Sequence, residues 1–318
     1  MHSSSSTPRA ELFLPGAITP EVAAFNARME AMLEGKPGLW EIGLEAGRRG
    51  GFMPISPPSP RSHDRDIGAT RLHIIPTDNA KALYLHMHGG GMVLGAANGQ
   101  DPMLERLGDR LGVTCVSVDY RLAPENPYPA AWDDCEAAAV WLIKNAKAEF
   151  GTDRILIGGD SAGALLAVAT LMRLRDKHGY EGIEAANLIF GCFDTSMTPS
   201  QRRADKGILT AREISRCAAA YCPDPAQARN PDVSPLYGDL SHMPPALFTV
   251  GTLDPFLDDS MFMYCRWIAA GARAGIAVWP GAGHGFIGSP HPLAREADDN
   301  IEAFLASIVE PAGGSVLT

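Results

Sequence analysis

Ile155-Leu156-Ile157-Gly158-Gly159-Asp160-Ser161-Ala162-Gly163-Ala164 is the stretch on which the fold turns. A short apolar run stops at a serine that has a glycine two places to either side. The run reads as a buried strand, and the small residues after Ser161 open a helical pattern from Ala162 to about His178. Between strand and helix the chain must reverse in very little space. A side chain at Gly159 or Gly163 would collide across that turn, so the two glycines let the serine hydroxyl stand clear of the sheet. Glycine-rich turns of this kind also occur with no chemical role, and the rest of the chain has to decide between the two readings.

Upstream, Leu83-Tyr84-Leu85-His86-Met87 alternates like a strand and runs into His88-Gly89-Gly90-Gly91. Consecutive glycines let backbone N–H groups point into a cavity, which is what a developing oxyanion needs. Downstream, the strand pattern Ala246–Val250 ends in Gly251-Thr252-Leu253-Asp254, and Ile276–Trp279 ends in Pro280-Gly281-Ala282-Gly283-His284-Gly285. A hydroxyl, a carboxylate and an imidazole thus each follow a strand, in the chain order Ser, Asp, His. Helical patterns separate them: Pro102 to Leu111, Pro129 to about Lys147, about Leu257 to Ala270, and Pro292 to Ile308. Val113–Val118 is nearly continuous in apolar character, as an interior parallel strand buried on both faces should be; Ala186–Cys192 reads as another strand. This alternation predicts an α/β fold with a mainly parallel sheet and helices on both faces.

Five motifs in this order resemble the hormone-sensitive-lipase-like carboxylesterases with a His-Gly-Gly-Gly motif: His88-Gly89-Gly90-Gly91, Asp119-Tyr120-Arg121-Leu122-Ala123-Pro124-Glu125, Gly159-Asp160-Ser161-Ala162-Gly163, Asp254-Pro255 and Gly283-His284-Gly285-Phe286. The resemblance runs from about Leu72 to about Leu305. It implies the α/β-hydrolase fold with a helical cap, and hydrolysis of short- to medium-chain acyl esters through an acyl-enzyme, with no cofactor. Ser161 would be the nucleophile, His284 the base that takes and returns its proton, and Asp254 the group that holds the imidazole. The N–H of Ala162, next after the nucleophile, would be one oxyanion donor. By resemblance Gly90 and Gly91 supply the others, with Gly89 left open. His88 is expected to shape the loop. Ala164 stands where the family usually has another glycine, and Met92 where an aromatic residue is common, which bears on the acyl-pocket wall.

Other carboxylates and other chemistries compete for these roles. Asp258 and Asp259 could serve as the triad acid but fall inside the helix pattern after Asp254, and Asp160 reads as structural. A serine at the elbow excludes epoxide-hydrolase and dehalogenase chemistry, which needs a carboxylate there. Amide or lactone hydrolysis would use the same three groups. A non-catalytic binding relative is disfavoured because a pure receptor needs no complete set. His86 and His88, two apart on a strand, face one side and could share a metal, but no further ligand cluster accompanies them. Arg121 and Glu125 read as an internal ion pair fixing their turn.

The 318 residues are 46% hydrophobic, enough for a large core, and carry a formal net charge of −10 with no basic cluster, which argues against nucleic acid or an anionic membrane as partner. Met1–Pro20 lacks the apolar core of a secretion signal, and nothing approaches a membrane-spanning length, so a cytoplasmic protein acting on a small-molecule ester is expected. A homodimer is left open. The six cysteines, Cys115, Cys135, Cys192, Cys217, Cys222 and Cys265, form no Cys-x-x-Cys and read mostly as buried free thiols.

The domain reading is an N-terminal cap segment and connection over 1–60, a catalytic domain over 61–192 and 231–318, and a cap insertion over 193–230. Residues 1–18 read as loosely attached. Thr19 and Pro20 then open a helix with Val22, Phe25, Met29 and Met32 on one face. Gly35–Pro60, rich in glycine and proline, reads as a mobile connection. Arg71–Ile75 and Ala82–His86, separated by Pro76-Thr77-Asp78-Asn79, are expected to pair as a hairpin at the sheet edge. The stretch from 193 to 245 interrupts the alternation and holds a helix opened by the capping box Thr210-Ala211-Arg212-Glu213.

Overall fold

The computed structural model describes residues 8–52 and 56–310. Eight strands, β1 (His63–Asp66), β2 (Arg71–Ile75), β3 (Ala82–Met87), β4 (Val113–Asp119), β5 (Ile155–Asp160), β6 (Ile183–Ile189), β7 (Ala246–Gly251) and β8 (Ala274–Trp279), form one sheet. Its order is β1-β2-β4-β3-β5-β6-β7-β8, parallel from β4 to β8 and antiparallel at the β1-β2 edge. This is the mainly parallel α/β sheet that the alternating pattern predicts.

The helices are α1 (Pro20–Leu33), α2 (Leu39–Ile42), α3 (Leu44–Ala46), α4 (Asp101–Leu111), α5 (Ala130–Phe150), α6 (Ala162–His178), α7 (Pro199–Arg202), α8 (Ala211–Tyr221), α9 (Leu257–Ala269) and α10 (Ala294–Val309). β4 is buried along nearly its whole length because α4 covers one face of it and α5 the other. The short apolar strands β3 and β5 are likewise enclosed, with α6 packed along both. A sheet covered on both faces leaves its strand ends as the open rim, and there the loops carrying polar residues collect.

Three expectations are corrected. β2 and β3 are not a hairpin: β2 pairs antiparallel with β1 and with β4, while β3 lies between β4 and β5. β4 needs a neighbour on each side to satisfy its backbone, and the β2–β3 connection crosses over to leave room for it, pinned by Thr77 donating from its N–H to Thr114 Oγ1 and from its hydroxyl to the Val113 carbonyl. The hydrophilic edge strand β1, His-Asp-Arg-Asp, has no apolar alternation to reveal it.

The second correction concerns the connection after α1. Its described part is not a loose linker but the turns α2, α3 and Gly47–Gly51, tied down by Arg48, which donates to the carbonyls of Val93 (2.8 Å) and Ala123 (2.6 Å) and grips Glu125 (2.9 Å). Further along, Ser59 is buried and donates its N–H to Asp101; residues 53–55 lie outside the described set. That same arginine supplies the third correction. Glu125 pairs with Arg48, whereas Arg121 forks onto Asp134 of α5 at 2.8–3.1 Å. The turn is not helical, so a four-residue spacing does not place the two side chains together.

At the N-terminus, residues 1–7 of the stretch read as loosely attached lie outside the described set, and 8–18 hold two short 3-10 turns with Phe13 and Leu14 exposed. Thr19 caps α1, its hydroxyl accepting from Val22 N–H at 3.3 Å. Only Val22 of that helix is fully buried; Phe25 and Met29 are half-buried and Met32 is exposed, so the apolar face docks along its first turns alone. Thr210 caps α8 through Glu213 N–H, but among the described residues the reciprocal half of the capping box does not form.

Candidate active site

Ser161 sits between β5 and α6 with φ 56° and ψ −118°, a conformation costing about 1–3 kcal/mol that the surrounding packing must hold. A methyl at Gly159 would lie 2.5 Å from the carbonyl carbon of Gly163, so the two glycines do face each other across the turn. Ser161 donates its own N–H to Ile189 of β6 at 2.9 Å, which ties the turn to the next strand end.

The three distant polar groups meet. His284 Nε2 is 3.0 Å from Ser161 Oγ, and His284 Nδ1 is 3.0 and 3.1 Å from the two oxygens of Asp254. Asp254 is 3% exposed and accepts a further bond from Phe256 N–H at 2.8 Å. Its carboxylate is therefore fixed before the imidazole docks on it, and this geometry selects the tautomer with the proton on Nδ1 and the lone pair of Nε2 toward the hydroxyl. Phe190 and Phe256 hold the ring edge-on, at 4.8 and 5.1 Å between centroids. Neither phenylalanine has a motif to mark it. Phe190 follows β6 in a left-handed conformation, φ 36°, so the strand stops at Ile189, three residues short of where the sequence places its end.

The competing acids are used elsewhere. Asp259 is fully buried and gathers the N–H groups of Phe193 and Asp194, the Thr198 hydroxyl and the Gln201 amide, which pins the start of the segment 193–230. Burial pushes its carboxyl up to about 7 against the pull of those donors. Asp258 accepts from Ser200 N–H. Asp160 lies under the glycine loop: Gln100 donates to it at 3.3 Å, and a methyl on Gly89 would come within 2.3 Å of its Oδ2.

Gly90 and Gly91 have φ 117° and 62°, conformations open to glycine. Among the described residues, the N–H groups of Gly89, Gly90, Gly91 and Ala162 donate to no backbone acceptor. A methyl on Gly91 would lie 3.0 Å from Cys217 Sγ of α8, which places that helix directly on this loop. His88 stacks on Tyr120 with centroids 4.1 Å apart, and its Nδ1 donates to the Gly89 carbonyl at 2.7 Å. Burial lowers its imidazole to about 4, so it is neutral and shapes the loop as expected. Met92 is 1% exposed with φ 59°, walled into the core beneath the loop, and contributes little surface to a pocket. His86 turns its Nδ1 to Ser117 Oγ at 3.0 Å. Among the described residues, no three His, Cys, Asp or Glu side chains gather as metal ligands.

Residues 84–288 match the profile of a family described as alpha/beta hydrolase fold. The carboxylic ester hydrolase LipN of Mycobacterium tuberculosis is 32% identical over 85% of this chain and 72% of its own length. The ethyl acetate hydrolase of Pseudomonas putida is 33% identical over 78% of this chain and 80% of its own. Among solved structures, the esterase of the hyperthermophilic archaeon Pyrobaculum calidifontis superposes with a TM-score of 0.78 at 29% identity, covering 91% of this chain and 98% of that one. EstE5, in a crystal soaked with p-nitrophenyl butyrate, gives 0.80 at 27% identity over 92% and 99%.

Proposed function

Because the chain belongs to the hormone-sensitive-lipase-like carboxylesterases of the α/β-hydrolase family, we propose that Ser161, His284 and Asp254 perform its serine-dependent cleavage of short acyl esters, and that the range extends to medium-chain acids. One observation carries the assignment: His284 bridges the Ser161 hydroxyl and the buried Asp254 carboxylate at 3.0 Å on each side.

The chemistry follows from that bridge. Ser161 Oγ attacks the ester carbonyl carbon while its proton passes to His284 Nε2. The carbonyl oxygen becomes an oxyanion, which the N–H groups of Ala162, Gly90 and Gly91 can receive, each such donor being worth about 3 kcal/mol at the transition state. The imidazolium, steadied by Asp254, returns the proton to the leaving alkoxide, and an acyl-enzyme remains. Water then repeats the sequence, its proton going to His284, and releases the acid and Ser161. All the groups used are side chains or backbone of this chain.

We assign 1–60 and 193–230 as cap segments over the rim and the remainder as the catalytic domain. The direct packing of Cys217 on Gly91 supports the cap role of α8. Six unpaired cysteines support a reducing, cytoplasmic setting, and no helix of the described residues is long and apolar enough to cross a membrane. The test is a rate profile over p-nitrophenyl esters of increasing acyl length, run beside Ser161→Ala. Turnover confined to short and medium chains and abolished by the substitution is expected; full turnover in Ser161→Ala would remove the assignment.

A further inference from the structure

The loop that carries His284 is restrained from outside the catalytic groups. Gly281-Ala282-Gly283-His284-Gly285 contains three glycines, two of them with left-handed φ (78° at Gly281 and 74° at Gly285). Such a backbone has many conformations to lose, and something must select the one that puts the imidazole in register. Two clamps do so at Gly281. Its N–H donates to Thr252 Oγ1 at 2.8 Å, which, with Thr252 N–H to the Trp279 carbonyl and Leu253 N–H to the Ala282 carbonyl at 3.0 Å each, zips the loop after β8 to the loop bearing Asp254. Its carbonyl accepts from Asn26 Nδ2 of α1 at 2.8 Å. Val22 and Ile18 close on the same glycine, so near that a methyl there would sit 2.8 and 2.9 Å from them.

A second line of contact runs from the same helix to the imidazole itself. Phe25 meets His291 edge-on at 4.9 Å, His291 meets Phe286 at 5.6 Å, Phe286 meets Phe190 at 6.2 Å, and Phe190 meets His284 at 4.8 Å. Yet α1 is held by little, with Val22 its one fully buried residue. A segment docked along so narrow a strip opens at low free energy, and the His284 loop then loses one clamp and the outer end of its ring contacts.

We propose that Asn26 is a positioning residue for His284: by holding the Gly281 carbonyl it fixes the loop, so that a docked α1 is required for full turnover and is more than a cover. This rests on the Ser161–His284–Asp254 reading. The hydrogen bond acts on a base that must lie within a few tenths of an ångström of its productive place, where small displacements reach the rate directly.

The experiment compares the wild type with Asn26→Asp, which keeps shape but loses the donor, Asn26→Ala, Thr252→Val and Thr252→Ser. For each, the second-order rate of Ser161 phosphonylation by a small p-nitrophenyl phosphonate is measured, with kcat and KM for p-nitrophenyl acetate and the Tm. Expected is a fall of about five-fold in phosphonylation rate and kcat for Asn26→Asp, Asn26→Ala and Thr252→Val. KM and Tm should stay near the wild type, and Thr252→Ser should retain the rate. Wild-type phosphonylation rates in folded Asn26→Asp and Asn26→Ala would overturn the proposal. So would losses that merely track Tm or KM. Failure of the wild type itself to be phosphonylated at Ser161 would instead overturn the triad reading beneath it.

Discussion

Gly163 stands against the end of β3: a methyl group on it would lie 1.9 Å from the carbonyl oxygen of Met87 and 2.6 Å from the carbonyl carbon. The nucleophile turn and the strand that launches the glycine loop are thereby locked at van der Waals contact, and no flexible side chain is available to give way. Gly163→Ala must push β3 and α6 apart, which costs about 3 kcal/mol by the scale of overpacked cores. A lowered Tm, with activity lost even in the folded fraction, is expected from thermal unfolding and ester assays run on the same preparation.

The Asp254–His284 contact makes a separate prediction. Asp254→Asn keeps the size of the side chain and its bond from Phe256 N–H, but it presents an amide where a carboxylate fixed the tautomer. By the behaviour of such triads kcat should fall by about 10⁴. Asp258→Asn, whose side chain serves Ser200, should leave kcat within about three-fold. Stopped assays with p-nitrophenyl acetate distinguish the two, and equal losses would return the acid role to dispute.

Gly90→Ala tests the glycine loop. The added methyl would lie 2.3 Å from the Leu94 carbonyl oxygen at a φ of 117°, so the loop has to move and carry its N–H groups with it. Losing one oxyanion donor costs about 10²–10³ in kcat, whereas binding of the ground-state ester depends on it far less. A large drop in kcat with nearly unchanged KM for a short ester is the expected result.

The triad was legible because each member follows its own strand within a few residues, and local motifs of that kind survive without knowledge of packing. The sheet's interior was legible for a related reason: the run Val113–Val118 in β4 is so nearly continuous in apolar character that it fits a strand covered on both faces. Contacts without period were not legible. Arg48 reaches across to Val93, Ala123 and Glu125, and Asn26 to Gly281, through a few polar bonds between segments far apart in sequence. A glycine- and proline-rich segment therefore read as mobile when one arginine holds much of it in place. β1 escaped for the opposite reason, since all four of its residues are exposed and no apolar alternation marks it. Arg121 and Glu125 show that proximity in sequence misleads once the turn is irregular.

Arg173 provides a prediction about pH. Its side chain is 6% exposed, and the guanidinium holds Asp133 at 2.8 Å, Glu136 at 3.0 Å and both oxygens of Asp232 at 2.5–2.8 Å. Burial alone would push the carboxyls of Asp232 and Glu136 up. Their bonds to Arg173 and Tyr128, and to Lys177 and His178 respectively, outweigh it and hold both below the ordinary carboxylate range. A carboxyl depressed in the folded state contributes stability above its unfolded pKa and loses that contribution as pH falls through the folded value. Arg173→Leu takes the buried cation away from Asp133 and Asp232 and leaves Glu136 only Lys177 and His178, and should destabilise by about 3 kcal/mol at pH 7. Below about pH 4 the carboxylates protonate first in the unfolded chains and, at lower pH, in the folded wild type, whose values are depressed, so the difference in urea midpoint between wild type and variant should shrink as the pH falls. A difference that stayed constant from pH 7 to pH 3.5 would mean that Arg173 stabilises by packing alone, and that its charge is not what joins α5 and α6 to the Asp232 turn.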